Sequence, residues 1–209
     1  MTVILGSSSP RRKYLLGSII TDFRIEKPET DESVLPGETA HEYCMRVAKA
    51  KREALLPLDI KDDVLLISCD TTVSFEDHIL GKPEDIDDAI RMLSILQGNT
   101  HQVLSALAIY ARIGQKELRY EALESTDVTF RKLDTHGIRS YLHEVHVLVK
   151  AGAYAAQERP DMIIESMNGS RTNVIGLPMR LIYALLIDHG IMQSLFPNVT
   201  RDDSTVKIY

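Results

Sequence analysis

The segment Gly6–Leu16 (GSSSPRRKYLL) places three serines, a proline and two arginines directly after an apolar run. Ser9 suits the N-cap of a helix and Pro10 suits its first turn. The free backbone N–H groups at such a helix start favour an anion, and Arg11 and Arg12 add charged donors for phosphate oxygens. The competing interpretation is a capped surface helix with solvated arginines. The Gly-Lys-Ser/Thr ending of a P-loop is missing.

A second candidate is the pair Asp70-Thr71, which follows the apolar run Val64–Ser68. An uninterrupted run of this kind predicts a strand covered on both faces. We expect Asp70 at the carboxyl end of that strand, where α/β folds place ligand sites. Its carboxylate can bind Mg²⁺ or accept a proton from water, and Thr71 can hydrogen-bond a substrate. The alternative is an aspartate that only caps a turn.

Two further stretches offer polar groups beside small residues. Lys82 lies between a glycine and a proline in LGKPED, where it supplies either a phosphate contact or a solvated charge. Gln157 ends the stretch KAGAYAAQ, whose small residues let the backbone approach a flat ligand. Its amide carries the acceptor and donors needed to read a base edge. A tightly packed turn explains the same letters without a ligand.

Together these motifs resemble one known family. S-x-S-P-R-R, D-T, G-K-P, K-A-G-A-Y-x-x-Q and N-G-S…V-x-G-L-P occur in this order between about Ile4 and Leu186, which resembles the Maf family of nucleoside triphosphate pyrophosphatases. The resemblance implies a fold similar to inosine triphosphatase-like enzymes, with the substrate in a cleft. It also implies cleavage between the α- and β-phosphates and a divalent metal, Mg²⁺ first, with Mn²⁺ or Co²⁺ as alternatives.

The resemblance carries roles onto matching positions. It implies catalytic roles for Asp70, Lys51 and Lys82, phosphate contacts for Ser9 and Arg12, and metal binding by Asp70 and Glu32. Whether Asp70 is a proton acceptor or a metal ligand stays open, because a carboxylate bound directly to Mg²⁺ is a poor base.

Three positions bear on the substrate. Arg11, Thr71 and Gln157 agree with the branch that acts on dTTP and UTP and differ from the 7-methyl-GTP branch. The implied partner is therefore a pyrimidine nucleoside triphosphate, canonical or modified. The chain departs from the family pattern at Val149, where an aspartate is common, and at Glu158, where a glycine is common. Glu158 adds negative charge near the predicted base pocket.

Strand and helix patterns must position these residues, and they alternate along the whole chain. The predicted strands are Val3–Leu5, Phe23–Ile25, Val64–Ser68, a hairpin of Thr72–Phe75 and His78–Leu80, His101–Arg112, Leu118–Phe130 and Met162–Ser166. The predicted helices are Pro10–Ser18, Thr39–Leu56, Glu84–Gln97, a helix capped by Asp134 or Thr135 that runs to His143, and Thr172–Asp188 with breaks at Gly176 and Pro178. We expect a mixed α/β (α+β) fold: a twisted mixed sheet flanked by helices, with a cleft, in one domain over residues 1–209 and a polar tail over 197–209.

Composition limits the partners. The chain has 209 residues and a net charge of −6, which argues against a general nucleic-acid binder. It shows neither a signal peptide nor an apolar run of the roughly 20 residues that span a bilayer. With two isolated cysteines, this pattern predicts a cytoplasmic protein with free thiols. Because the family is often dimeric, the resemblance leaves a homodimer open.

A rival hypothesis is a regulator of cell division or septum formation that binds a nucleotide without hydrolysing it. Such a protein could keep the cationic groups but would not need two carboxylates. The joint presence of Asp70 and Glu32 favours the enzyme.

Overall fold

A computed structural model describes residues 1–195 except 57, 59 and 61. The predicted polar tail, 197–209, lies outside the described residues. Within the described part, the strands are β1 (Thr2–Gly6), β2 (Arg24–Glu26), β3 (Val64–Phe75), β4 (His78–Leu80), β5 (Thr100–Ile113), β6 (Lys116–Phe130) and β7 (Ile164–Asn168). The helices in the same ranges are α1 (Pro10–Gly17), α2 (Ala40–Leu55), α3 (Ile86–Leu96), α4 (Thr135–Glu144), α5 (Pro160–Ile163), α6 (Arg171–Ile175), α7 (Met179–Asp188) and α8 (Ile191–Leu195).

The strands form one mixed sheet in the order β2-β1-β3-β5-β6-β7, and β4 pairs with β3. β1 runs parallel to β2 and to β3, whereas the β3–β5, β5–β6 and β6–β7 pairs are antiparallel. Helices cover both faces, so the predicted mixed α/β fold is confirmed. No helix in the described ranges is long and apolar enough to cross a bilayer.

Alternating side chains of β3 divide the core between the two faces of the sheet. Leu65 and Ile67 pack with α1 and α7 on one face, while Leu66 packs with the end of α2 on the other. α2 starts with a capping box in which Thr39 and Glu42 satisfy each other's backbone N–H groups, an arrangement that fixes a helix start. A further apolar cluster joins α3 and α4 to the far end of β3, β5 and β6.

The structure corrects the predicted position of Asp70. β3 does not end at Ser68 but continues through Asp70 to Phe75. The β-branched residues after Asp70 suit an extended chain, and β5 pairs with β3 along its length, from Val64 to Ser74. The carboxylate therefore lies in the middle of a long strand.

Other element boundaries also differ from the predictions. α3 begins at Ile86, because the Asp85 side chain accepts a hydrogen bond from the Asp88 N–H and caps the helix there. Pro83 lies before that cap and not in the first turn. The predicted strand Met162–Ser166 is shifted, since Pro160–Ile163 form the helical turn α5 before β7. The hairpin is confirmed: Glu76 and Asp77 both have positive φ, at 47° and 63°, as tight hairpin turns require.

A gap in the sheet exposes one edge of β3. β1 pairs with β3 as far as Ser68, and β4 pairs with it again from Val73 onward. Among the described residues, no strand pairs with Cys69–Thr72 on that side. Asp70 and Thr71 therefore lie on a free strand edge, and their side chains point to opposite faces of the sheet.

Candidate active site

A cleft of about 830 Å³ lies at this gap and is lined by α1, the segment between β2 and α2, the β3 edge and the residue 149–157 turn. Every site residue predicted from the sequence lines it. These residues are Ser9, Arg11, Arg12, Glu32, Lys51, Asp70, Thr71, Lys82 and Gln157. Their convergence is observed in the structure, whereas their individual roles stay predictions.

A lysine held between two carboxylates forms the centre of the cleft. Lys51 Nζ lies 2.7 Å from Asp70 Oδ1 and 2.8 Å from Glu32 Oε1. The side chains of Lys51 and Asp70 are each only 9% exposed, and that of Glu32 is 41% exposed. Burial of ions is costly unless they are paired, so each of the two buried charges requires the other. Thr72 Oγ1 donates to the second oxygen of Asp70 at 3.3 Å.

The environment keeps Glu32 ionised. Burial pushes its pKa upward, but the hydrogen bond and charge of Lys51, followed by the charges of Lys82 and Arg12, outweigh burial. The pKa of Glu32 therefore lies below its ordinary value. Lys82 Nζ lies 3.9 Å from the other Glu32 oxygen, so a second ammonium borders the cluster on its open side.

Side chains of α2 hold the segment that carries Glu32 through hydrogen bonds. Tyr43 Oη donates to the Glu32 carbonyl at 2.9 Å, and Arg46 donates to the Ser33 carbonyl at 2.8 Å and to Glu38 at 2.6 Å. Burial, and to a smaller extent the charges of Asp70 and Glu32, raises the pKa of Tyr43 to about 12. The hydroxyl therefore keeps its proton and remains a donor.

Arg12 connects the start of α1 to the far wall of the cleft. Its Nε donates to the Gly176 carbonyl at 2.7 Å, Nη1 to Ser7 Oγ at 3.1 Å and Nη2 to Thr71 Oγ1 at 3.1 Å. These contacts use three of the five guanidinium N–H groups, so two donors remain for an anion. Ser9 caps α1 as predicted, accepting from the Arg12 N–H.

The three positions predicted to select the base, Arg11, Thr71 and Gln157, also line the cleft. Arg11 Nε donates to the Ile175 carbonyl at 3.2 Å. Burial, and then the charge of Arg12, lowers the pKa of Arg11, while Glu158 opposes the shift. Gln157 Nε2 lies 3.4 Å from Glu158 Oε1. Thr71 Oγ1 already contacts Ser105 Oγ at 2.9 Å in addition to Arg12, so its hydroxyl is engaged by protein groups in this structure.

Comparison with known proteins decides the family. The family described as Maf-like protein matches residues 2–189. The chain belongs to the Maf family.

Curated relatives of this Maf chain share one description. A dTTP/UTP pyrophosphatase of Akkermansia muciniphila is 43% identical over 178 residues, which cover 85% of this chain and 91% of that protein. A dTTP/UTP pyrophosphatase of Anaeromyxobacter dehalogenans is 39% identical over 184 residues, covering 88% and 92%. Among solved structures, the Staphylococcus aureus Ham1 protein matches at 15% identity and a TM-score of 0.42, covering 90% of this chain and 100% of that one. That likeness is too distant to bear on the site.

Sequence reasoning assigned no site role to three residues that shape the Maf cleft, although two of them, Ser7 and Tyr154, lie inside the family motifs. Ser7 and Tyr43 position Arg12 and Glu32, as described above. Tyr154 lines the cleft and contacts the buried His101, whose Nε2 lies 2.8 Å from Tyr154 Oη. Tyr43 falls on the apolar side of the predicted helix Thr39–Leu56. That position could have indicated that its side chain faces the protein interior. His101 is a single histidine in the long apolar strand β5, and its sequence context does not indicate that it contacts Tyr154.

His101 should make the stability of this protein depend on pH. Burial lowers its pKa from 6.5 to about 3, so the native state keeps it neutral while the unfolded chain takes up a proton below about 6.5. Its contribution is fully present above that pH and is lost as pH falls toward 3. Between pH 7 and 5 we expect wild type to lose roughly 2 kcal/mol more unfolding free energy than His101→Gln, measured by urea denaturation. Equal losses in the two proteins would contradict the buried, neutral histidine.

The two carboxylates of the cleft offer a donor set that would suit a magnesium ion. Among the described residues, no group of three or more His, Cys, Asp or Glu side chains is placed to hold a metal. Asp70 and Glu32 supply hard oxygen donors, and both already bind a cation, the Lys51 ammonium. Mg²⁺ commonly takes one or two protein carboxylates and completes its shell with water and phosphate oxygens. The two side chains match that small donor set.

Proposed function

We propose that this protein is a nucleoside triphosphate pyrophosphatase that hydrolyses dTTP and UTP to the monophosphate and pyrophosphate. The observation that carries the proposal is the buried Lys51–Asp70 pair with Glu32, facing a cleft lined by Arg12 and Lys82. This arrangement puts fixed positive charge and two carboxylates within one cavity, as phosphoryl chemistry requires. The descriptions of the curated relatives support the same activity.

The cationic side chains would bind the triphosphate. Lys82 is 63% exposed at the mouth of the cleft and can reach an entering phosphate. Among the described residues Arg12 has two unused donors, and the Arg11 backbone N–H at the start of α1 adds one more, because Pro10 has no N–H and Ser9 accepts from the Arg12 N–H. Together they would neutralise the phosphates and fix the orientation of the bond from the α-phosphorus to the oxygen that bridges to the β-phosphate, which accounts for much of the catalysis in phosphoryl transfer.

Asp70 and Glu32 would bind Mg²⁺, which on binding neutralises charge on the phosphate oxygens and polarises the phosphorus. Asp70 can alternatively accept the proton of the attacking water. Lys51 holds one of its oxygens in place and Thr72 approaches the other, so the orientation of the carboxylate is fixed before substrate enters. Proton acceptance and metal binding compete for these oxygens.

The nucleobase would be selected by hydrogen bonds from Gln157, with Arg11 and Thr71 nearby. A site built to pair with polar base edges rejects a base that leaves its buried groups unpaired. This explains how one cleft could accept both dTTP and UTP, since thymine and uracil present the same imide edge.

The direct test is purified protein with Mg²⁺ and a panel of normal and modified nucleoside triphosphates. We expect a monophosphate and pyrophosphate in equal amounts from dTTP and UTP. Release of orthophosphate in place of pyrophosphate would contradict the proposed bond cleavage. Tight binding of dTTP without any product would favour the non-catalytic regulator.

Replacing Gln157 by glutamate should reduce kcat/KM for dTTP and UTP by about 10- to 100-fold, because the amide donors are lost and negative charge gathers beside Glu158. Thermal unfolding should change less than activity, because the Gln157 side chain is partly exposed, although its Oε1 is shielded from water. The measurement is steady-state pyrophosphate release across the nucleotide panel. Unchanged relative rates would remove Gln157 from base selection.

We also propose a cytoplasmic location. Cys44 and Cys69 are free and buried, in keeping with a reducing compartment. The homodimer that the family resemblance leaves open is tested by light scattering of the purified protein.

A further inference from the structure

The amide of Gln157 lies between the cleft and a charged pair that does not line it. Gln157 itself is part of the cleft wall. Its Nε2 lies 3.4 Å from Glu158 Oε1, and Glu158 Oε2 lies 2.7 Å from Lys150 Nζ. The Lys150 side chain is only 5% exposed, so it provides a fixed anchor for the carboxylate.

The contact with the Glu158 carboxylate favours one orientation of the Gln157 amide. An ionised carboxylate only accepts hydrogen bonds, so it attracts the amide NH₂ and repels the amide oxygen. Rotating the amide by half a turn would place Gln157 Oε1 against Glu158 Oε1. In the observed orientation Gln157 Oε1 is shielded from water and has no hydrogen-bond donor among the described residues. An unpaired acceptor of this kind is costly until a ligand supplies a donor.

We propose that Glu158, held by Lys150, is a positioning residue that fixes the Gln157 amide and thereby selects uracil and thymine over cytosine. The inference rests on the proposed function, because it assumes that the cleft receives a pyrimidine nucleotide. It goes further in assigning the discrimination to two residues that do not line the cleft.

The chemistry follows from the hydrogen-bonding groups of the bases. With one N–H directed to Glu158, Gln157 retains its carbonyl oxygen and a second N–H. An adjacent acceptor and donor complement the N3–H and a neighbouring carbonyl of uracil or thymine. Cytosine has an acceptor at N3 and an amino group beside it, so it would need the amide reversed. Glu158 opposes that reversal, and such a repulsive element is a common source of specificity.

The test compares binding of two analogues, UTP and CTP with a methylene group in place of the oxygen between the α- and β-phosphates. Calorimetry with wild type should show a strong preference for the UTP analogue. In Glu158→Gln, whose side chain both donates and accepts, that preference should fall by about tenfold or more, because either amide orientation becomes acceptable. Glu158→Asp, which keeps a carboxylate, should retain more of the preference than Glu158→Gln.

The matched control is Asp161→Asn. Asp161 is a nearby carboxylate, 67% exposed, and its partner is Arg159. This variant also replaces a carboxylate by an amide, but at a residue whose partner is Arg159 and not Gln157. Its preference for the UTP analogue over the CTP analogue should therefore equal that of wild type. Lys150→Gln, which releases Glu158, should change the preference in the same direction as Glu158→Gln. An undiminished preference in Glu158→Gln, or no preference in wild type, would overturn the inference.

Pyrophosphate release from UTP is measured separately and distinguishes the two hypotheses. If wild type binds the UTP analogue selectively but releases no pyrophosphate, the proposed function fails and the role of Glu158 stands. If pyrophosphate is released and Glu158→Gln retains full selectivity, the proposed function stands and the role of Glu158 fails.

Discussion

Replacing Asp70 by asparagine should lower kcat/KM for dTTP by about 1,000-fold or more, a loss typical of groups on which the chemical step depends. The amide cannot take a proton from water, and it is a far weaker metal ligand than a carboxylate. It also lacks the charge that holds Lys51 at 2.7 Å. Both roles open to Asp70 therefore predict the same loss, which is measured as pyrophosphate release by the purified variant.

The fold should survive this change. Lys51 keeps Glu32 as a partner, so the destabilisation should stay below the roughly 3–5 kcal/mol that complete loss of a buried partner costs. Asp127→Asn is the control, because Asp127 is a strand carboxylate on β6 that does not line the cleft. Near-normal turnover by folded Asp70→Asn protein would show that Asp70 is not the essential carboxylate.

Replacing Lys51 by methionine should both inactivate the protein and destabilise it by about 3–5 kcal/mol at neutral pH. Asp70 would be left buried beside Glu32 without an ammonium between them. Glu32 would then lose the hydrogen bond and charge that oppose the effect of its burial, so we expect its pKa to rise above that of the unfolded chain. Urea denaturation from pH 7 to 4.5 measures the effect.

The sign of the pH dependence provides the sharper test. In wild type the pKa of Glu32 is lowered, so its contribution to stability is present above its unfolded pKa and is lost as pH falls through its folded pKa. In Lys51→Met the raised pKa of Glu32 reverses this dependence, and acidification should stabilise the variant through this group. The difference in unfolding free energy between wild type and Lys51→Met should therefore become smaller toward pH 4.5. A difference in unfolding free energy that does not change with pH would mean that Lys51 stabilises the protein by packing and not by its charge.

Two controls isolate the charge of Lys51. Lys51→Arg keeps it and should preserve most of the stability. Lys49→Met removes an exposed lysine of the same helix, whose nearest carboxylate is 4.0 Å away on Glu121. Exposed pairs of this kind contribute about 0–1 kcal/mol, so this variant should behave almost as wild type does.

The position of Lys51 illustrates how far sequence reasoning reaches. Family resemblance singled it out, but helix periodicity contains the same information. The buried apolar residues of α2 are Ala40, Cys44, Val47, Ala48 and Leu55, and Lys51 falls on their face. A lysine in line with such a stripe must find a buried acceptor. Nothing local in the sequence indicates that the acceptor is Asp70, because their contact depends on how α2 packs across the sheet.

The gap in the sheet could not be predicted for a related reason. The apolar run before Asp70 indicates a strand, and the hairpin after it was predicted correctly. That these are one strand depends on β5, which pairs with both parts. Where β1 stops against β3 depends on register, and register is set by tertiary packing rather than by local propensity. Motif order thus identified the residues around the cleft, while long-range pairing determined which of them face each other.

The unbroken pairing of β3 with β5 has a mechanical consequence. A continuous hydrogen-bonded ladder from Val64 to Ser74 passes beneath the cleft. Enzymes that close by rotating two lobes need a flexible connection between the lobes. Here the floor of the cleft is a continuous part of the sheet, which resists bending. Any opening of the cleft at the segment of residues 27–38 would have to break the hydrogen bonds from Tyr43 and Arg46 that hold this segment against α2. Access to the cleft therefore depends on these rim contacts and not on separation of domains.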